Sequence, residues 1–239
     1  MRSAAAIECL GITYGVAWGS FLVLIPLTAI SAQFADLLLD QADRLLGFDF
    51  VAYADLARPF INILRHSYAS YHWQPLLIIG FLCFTDRTAR CWGFVTAGTM
   101  ALAITCVIYP LFPAEGPFVY YGIREYGPIL APWQFGPVLH AIKDGARLID
   151  YSLMTGLVSL PSYHAAAACI FVWSTWPTIL RWVLVPLNIL LLLATIVIGS
   201  HYLVDVIAGI AVGIASIAIT TWLLKDKGPA PKASSAIKL

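Results

Sequence analysis

The sequence predicts an all-α polytopic membrane protein, six transmembrane helices in a bundle with an amphipathic helix at the membrane surface. Three observations predict it. The 239 residues are 60% hydrophobic and only 11% charged, with a mean hydropathy of +0.83, whereas a soluble domain carries about 25% charged residues. Such a chain has too little polar surface to cover itself in water. Its apolar residues gather into stretches approaching the roughly 20 residues that a membrane helix needs. Between the first two stretches, leucines and acids alternate with the period of a helix. The net charge of +1 gives no support to a nucleic-acid partner.

Six spans are expected, at about 10–31, 69–85, 90–112, 157–176, 179–198 and 202–224. The first begins with only Arg2 as a basic residue, Glu8 interrupts the approach, and no clear small-residue cleavage site follows. An uncleaved helix is therefore expected rather than a signal peptide. In the connection 32–68, "ADLLLDQADRLLG" sets Leu38, Ala42, Leu45 and Leu46 on one helical face and Asp36, Asp40, Asp43 and Arg44 largely on the other. That pattern predicts a helix lying in the membrane interface. The second span is short and opens on Tyr71, His72 and Gln74. The connection 113–156 contains "FPAEGPFVYYGIREYGPILAPWQFGP", with little helical pattern until about His140, and reads as a folded cap. Residues 1–224 form one domain in this reading. The small, polar, basic tail from Lys225 is expected to be disordered. The five cysteines lie in or beside apolar segments at no metal-like spacing and read as small buried hydrophobes. Gly209 and Gly213 suit close helix packing.

Six spans place both termini on one side. That side holds Arg2, Arg87, Arg90, Arg181, Lys225, Lys227, Lys232 and Lys238 against Glu8, Asp86 and Asp226. Basic residues beside spans favour the cytoplasm, so both termini are expected there, with the long loops outside, in the periplasm if the cell is bacterial. His164 opens the fourth span and His201 the sixth. The topology brings both to the outward membrane level.

His201 and Asp205 are four residues apart and would share a helical face. A carboxylate there can accept the proton of one imidazole nitrogen and leave the other free as nucleophile or base. Ser162 and His164 start another helix, with Pro161 suited to its first turn. The unpaired amides of that turn and the serine hydroxyl would suit a phosphate, and a second histidine could protonate a leaving oxygen. Two histidines, a carboxylate and an anion cradle suit phosphoryl transfer without a metal or other cofactor. Their level in the bilayer suits a lipid phosphate as substrate.

"LPSYH" followed by "GSHYLVD" resembles the last two signature motifs of the type 2 phosphatidic acid phosphatase superfamily. "FPAEGP", "GLVSLPSYHAA", "HYLVDVIAG", "LLLDQADRLLGFDF" and "YASYHWQP" are similar to its branch of inositolphosphotransferases and bacterial lipid phosphatases, a likeness covering roughly 34–215. The resemblance implies a six-helix membrane bundle and a metal-independent lipid phosphatase. It implies that His201 attacks phosphorus and forms a phosphohistidine, that Asp205 orients it, that His164 is the general acid, and that Ser162 helps hold the phosphate. The family's Lys and Arg motif near the end of the third span is absent from "VIYPLFPAEGP", and Ala194 and Thr195 stand where Ser-Arg would begin the last motif. A phosphate dianion still needs positive partners. "AIKDGARLID" resembles a basic-residue-Asp-Gly element of the branch, which makes Lys143 the first candidate, followed by Arg147 and Arg124.

Water attacking the phosphohistidine would give a phosphatase, and a bound alcohol such as inositol would give a phosphotransferase. An intramembrane serine protease would want Ser162 deep in a Gly-rich span rather than after Pro161 at its start. A channel or carrier would want polar residues along helix interiors, and the last two spans have few besides Asn188.

Overall fold

The structure is a computed structural model, and it describes residues 2–124, 131–146, 148 and 158–225. Of the tail expected from Lys225, Lys225 itself ends the last helix, while 226–239, Arg147 and part of the 113–156 connection lie outside the described residues. Among the described residues every regular element is helical. In chain order these are α1 (Arg2–Ala29), α2 (Asp36–Leu45), α3 (Phe50–Ala57), α4 (Ile61–Ala69), α5 (Gln74–Phe84), α6 (Thr88–Ile108), α7 (Pro117–Tyr120), α8 (Ala131–Lys143), α9 (Tyr163–Thr175), α10 (Arg181–Val197) and α11 (Leu203–Lys225).

Three of the helical segments are long and apolar enough to cross a membrane: Arg2–Ala29, Thr88–Leu111 and Leu203–Lys225. The chain is thus a membrane protein by length and composition of its helices. The other three expected spans correspond to shorter helices. α5 has 11 residues and α10 has 17. α9 has 13, because 158–162 is not helical and the helix starts only at Tyr163.

α9 lies at the centre, packed by α11, α10, α6 and α5. Its run Ala165–Ala168 is buried throughout, and a helix apolar on all sides belongs in an interior. Small side chains there let the neighbours approach. A Cβ on Gly209 would lie 2.2 Å from the Ser162 carbonyl oxygen, and one on Gly213 would lie 2.8 Å from that of Ala166. Only glycine at these two positions lets α11 come so close to α9. At the far end of α9, Arg90 Nε donates to the Ser174 carbonyl (2.7 Å) and Arg87 to that of Pro177 (3.0 Å). These cations satisfy carbonyls that a helix end leaves open. Asn188 of α10 donates to Gln74 of α5 (2.7 Å), a buried polar link.

The 113–156 connection is helical from Ala131, well before His140. Phe135, Val138, Leu139 and Ile142 recur at helical spacing and pack with Leu24 and Tyr109; Pro132, Gly136 and Pro137 had masked that period. The amphipathic helix exists as α2, but its acidic face is the one turned inward. Asp36, Asp40 and Asp43 are buried, while Leu37, Leu38, Leu45 and Leu46 are exposed.

Candidate active site

The acidic face of α2 positions the loop and helix start that carry His201. α11 begins at Leu203, so His201 and Tyr202 precede it rather than lying within it. The first amides of a helix need acceptors, and Tyr202 has no side chain suited to capping them. Asp43 supplies both from another helix. Its two oxygens accept from the Leu203 and Val204 N–H groups, each at 2.8 Å. Burial pushes the Asp43 carboxyl above its ordinary range, and those two amides pull it back. Asp205 reaches back to the Tyr202 N–H (3.0 Å), as the acidic member of a capping box does. Asp36 Oδ1 accepts from the Tyr202 hydroxyl (2.9 Å) and the Gly116 N–H (2.9 Å), and Oδ2 accepts from the Glu115 N–H (3.1 Å). Gly116, at φ +95°, abuts Ser200 so closely that a Cβ would lie 2.6 Å from its carbonyl oxygen. Asp40 joins Arg44 and the Tyr121 hydroxyl. None of these roles was evident from sequence. The available signal was a helix start without a capping residue beside an acidic stripe with little basic company.

The spacing argument for His201 and Asp205 holds across this junction. His201 Nδ1 lies 3.3 Å from Asp205 Oδ2. Oδ2 also accepts from the Ser159 hydroxyl (3.2 Å), so the carboxylate is held from two further sides. Asp205 is fully buried and His201 is 5% exposed. With Nδ1–H directed at Asp205, Nε2 keeps its lone pair. Nε2 lies 3.3 Å from Ser162 Oγ. Ser162 is the N-cap of α9 but makes no side-chain cap bond, so its hydroxyl remains available to this site. The Ser162 N–H donates to the Asp205 carbonyl (3.0 Å), which ties the starts of α9 and α11 together.

His164 faces the same cavity as His201, a space of about 610 Å³. It is flanked by Tyr68, with ring centroids 4.5 Å apart, and Tyr71, at 4.4 Å. The Tyr68 hydroxyl lies 3.4 Å from His164 Nδ1. Sequence reasoning found both histidines but assigned no role to these tyrosines, which come from about a hundred residues earlier. Ser200 also lines the cavity, and its Oγ is buried against Gly116 without a hydrogen-bond partner among the described residues.

The structure therefore brings together His201, Asp205, Ser162 and His164. It does not bring Lys143 or Arg124 to them. Lys143 Nζ donates to the Ser31 and Ala32 carbonyls (3.1 and 2.7 Å) and to Ser31 Oγ (2.8 Å). It lies where the chain leaves α1, and carbonyls left open there draw a cation. Burial lowers its pKa from the ordinary lysine value. Arg124 lies over the Trp133 ring, 4.5 Å from its centroid, beside a neighbouring cavity. Arg147 is outside the described residues. No Lys or Arg among the described residues lines the cavity of the two histidines. Glu115 does line it and pairs with His140 at 3.0 Å.

A family model described as the PAP2 superfamily matches residues 38–219. No curated protein and no solved structure matches the chain.

Proposed function

The chain belongs to the PAP2 superfamily, and we propose that within it the protein is an integral membrane lipid phosphate phosphatase, acting on a lipid phosphate or pyrophosphate through a phosphohistidine on His201. The observation that carries this reading is the line Asp205–His201–Ser162, with distances of 3.3 Å on either side of the imidazole, whose His201 lines one cavity with His164.

In the first step the His201 Nε2 lone pair attacks phosphorus, and the bond from phosphorus to the lipid oxygen breaks. Asp205 holds Nδ1–H and stabilises the cation that forms. Protonated His164 gives its proton to the departing oxygen, and Tyr68 fixes its ring. Ser162 Oγ swings from Nε2 to a phosphate oxygen, and the first-turn amides of α9 stabilise the same charge. In the second step water attacks phosphorus, neutral His164 takes a proton from that water, and the N–P bond breaks to release inorganic phosphate. These steps use only side chains and backbone amides of this protein, with water, and need no metal.

In this reading both termini are cytoplasmic, six segments cross the bilayer, and the site faces outward. The exposed leucines of α2 lie in the membrane interface, which leaves its acids free to hold the site. A head-group phosphotransferase would use the same first step and replace water with an alcohol.

The test is turnover by purified protein with EDTA, on a panel of lipid phosphates with and without inositol. Free phosphate is expected from wild type and none above background from His201→Ala. A new phospholipid with little free phosphate would make the protein a transferase. Activity that survives His201→Ala would remove the nucleophile.

A further inference from the structure

We propose that the cavity beneath the two histidines is a binding site for one apolar chain of the substrate, walled on one side by α1, and that Gly98 sets how much of that chain fits. The proposal rests on the phosphatase reading for the identity of the ligand, but the cavity can be tested without it.

The cavity has a polar end and an apolar depth. His164, His201, Ser159, Ser200 and Glu115 line one end. Along α9 the lining then changes from His164 to Ala167, Ile170 and Phe171. Seven residues of helix separate His164 from Phe171, a descent of about 10 Å. The Phe94 and Phe171 rings lie 5.9 Å apart at that depth, and Tyr71 lies 6.1 Å from Phe171 and 4.4 Å from His164. Aromatic rings thus line the way from the proposed proton donor to the floor. The group that leaves phosphorus with the oxygen is the lipid, and the residue that protonates that oxygen stands at the top of this descent. The chain attached to that oxygen therefore runs down past His164, with phosphorus left at His201.

The volume, about 610 Å³, falls in the range of ~300–1,000 Å³ that holds one small ligand. It suits a single chain with the head group left at the polar mouth. Ala17, Phe21 and Leu24 of α1 complete the wall. α1 lies outside the 38–219 segment matched by the family.

Gly98 lies on α6 within the lining, and a Cβ there would meet only the Tyr163 hydroxyl, at 3.7 Å. The Cβ of Gly98→Leu therefore fits at ordinary contact distance, and the added bulk on a lining residue takes up cavity space. It also replaces glycine in a helix interior with a better helix former. The variant is expected to fold. Gly80→Leu, on α5 outside the lining and with open space around it, is the control.

The experiment measures kcat/KM for butyl, octyl and dodecyl phosphate in lipid nanodiscs, together with binding of dodecanol to the His201→Ala protein with and without Gly98→Leu. Each buried methylene is worth about a fourfold effect. Gly98→Leu is expected to lower kcat/KM for dodecyl phosphate by roughly tenfold or more, to change that for butyl phosphate by less than about twofold, and to weaken dodecanol binding. Gly80→Leu is expected to leave all three unchanged. Equal effects of Gly98→Leu on all three esters, or dodecanol binding that it leaves unchanged, overturn the chain site. A wild-type protein that hydrolyses no ester but binds dodecanol in a Gly98-dependent way keeps the cavity and sinks the phosphatase reading.

Discussion

Ser162 occupies a helix N-cap, where a serine hydroxyl ordinarily accepts from an amide of the first turn. Here it makes no such bond and lies 3.3 Å from His201 Nε2. The same four residues that the local spacing singled out, Ser162, His164, His201 and Asp205, meet in space, because each pair sits within a few residues at one helix start. What spacing could not reveal is what holds them. Tyr68 and Tyr71 flank His164 from a different helix and turn, and sequence distance hides such contacts. The assignment of His164 as general acid makes a prediction at this scale. General acid catalysis is worth about 10²–10⁴-fold, but only where the leaving oxygen needs a proton. His164→Ala is expected to lower kcat/KM, which reports only the steps through departure of the leaving group, by roughly that factor for an alkyl phosphate and by less than about tenfold for p-nitrophenyl phosphate. Equal losses on the two esters, measured side by side, would remove His164 from proton donation.

α2 shows how far a helical pattern can be read. Its period predicted a helix, and a helix from Asp36 to Leu45 is present. Its two faces were legible, but not what each would meet: the acids turn inward onto orphan amides of α11 and of the loop at 115–116. In water a leucine face seeks the core; beside a bilayer it can stay outside, and the acids become the structural face. The cationic partners failed for a related reason. Lys143 answers to open carbonyls near the end of α1, which nothing in its own neighbourhood announces. Asp43 tests the element. Asp43→Ala leaves two amides without their acceptor, and lost helix caps cost ~0.5–2 kcal/mol. A lower melting temperature is expected. Because α11 starts two residues after His201, kcat is also expected to fall, by ~10–100-fold, with little change in KM. Asp43→Asn should fall between, since its amide nitrogen faces one of the two N–H groups. A variant that melts and turns over like wild type would show that Asp43 does not position the nucleophile.

At the scale of the molecule, composition foretold a helical membrane protein, and three helical segments have the length and apolarity to span. Three other expected spans appear as shorter helices, because polar or proline-bearing starts such as Pro161–Ser162 trim the helix while the apolar stretch runs on. The cavity was not legible at all. It is made where α1, α6 and α9 fail to fill the space between them, and no local pattern encodes a gap. Helices, junctions and cavity together frame one central claim, that His201 becomes covalently bound to phosphorus. The most direct measurement is to quench the protein with EDTA present after brief exposure to a lipid phosphate labelled on phosphorus, and to locate the label by mass spectrometry. An acid-labile phosphoryl group is expected on His201, lost in His201→Ala and, with an activated substrate, accumulating in His164→Ala, where attack by water on the phosphohistidine is slowed. Turnover without any adduct, or an adduct on another residue, would contradict it.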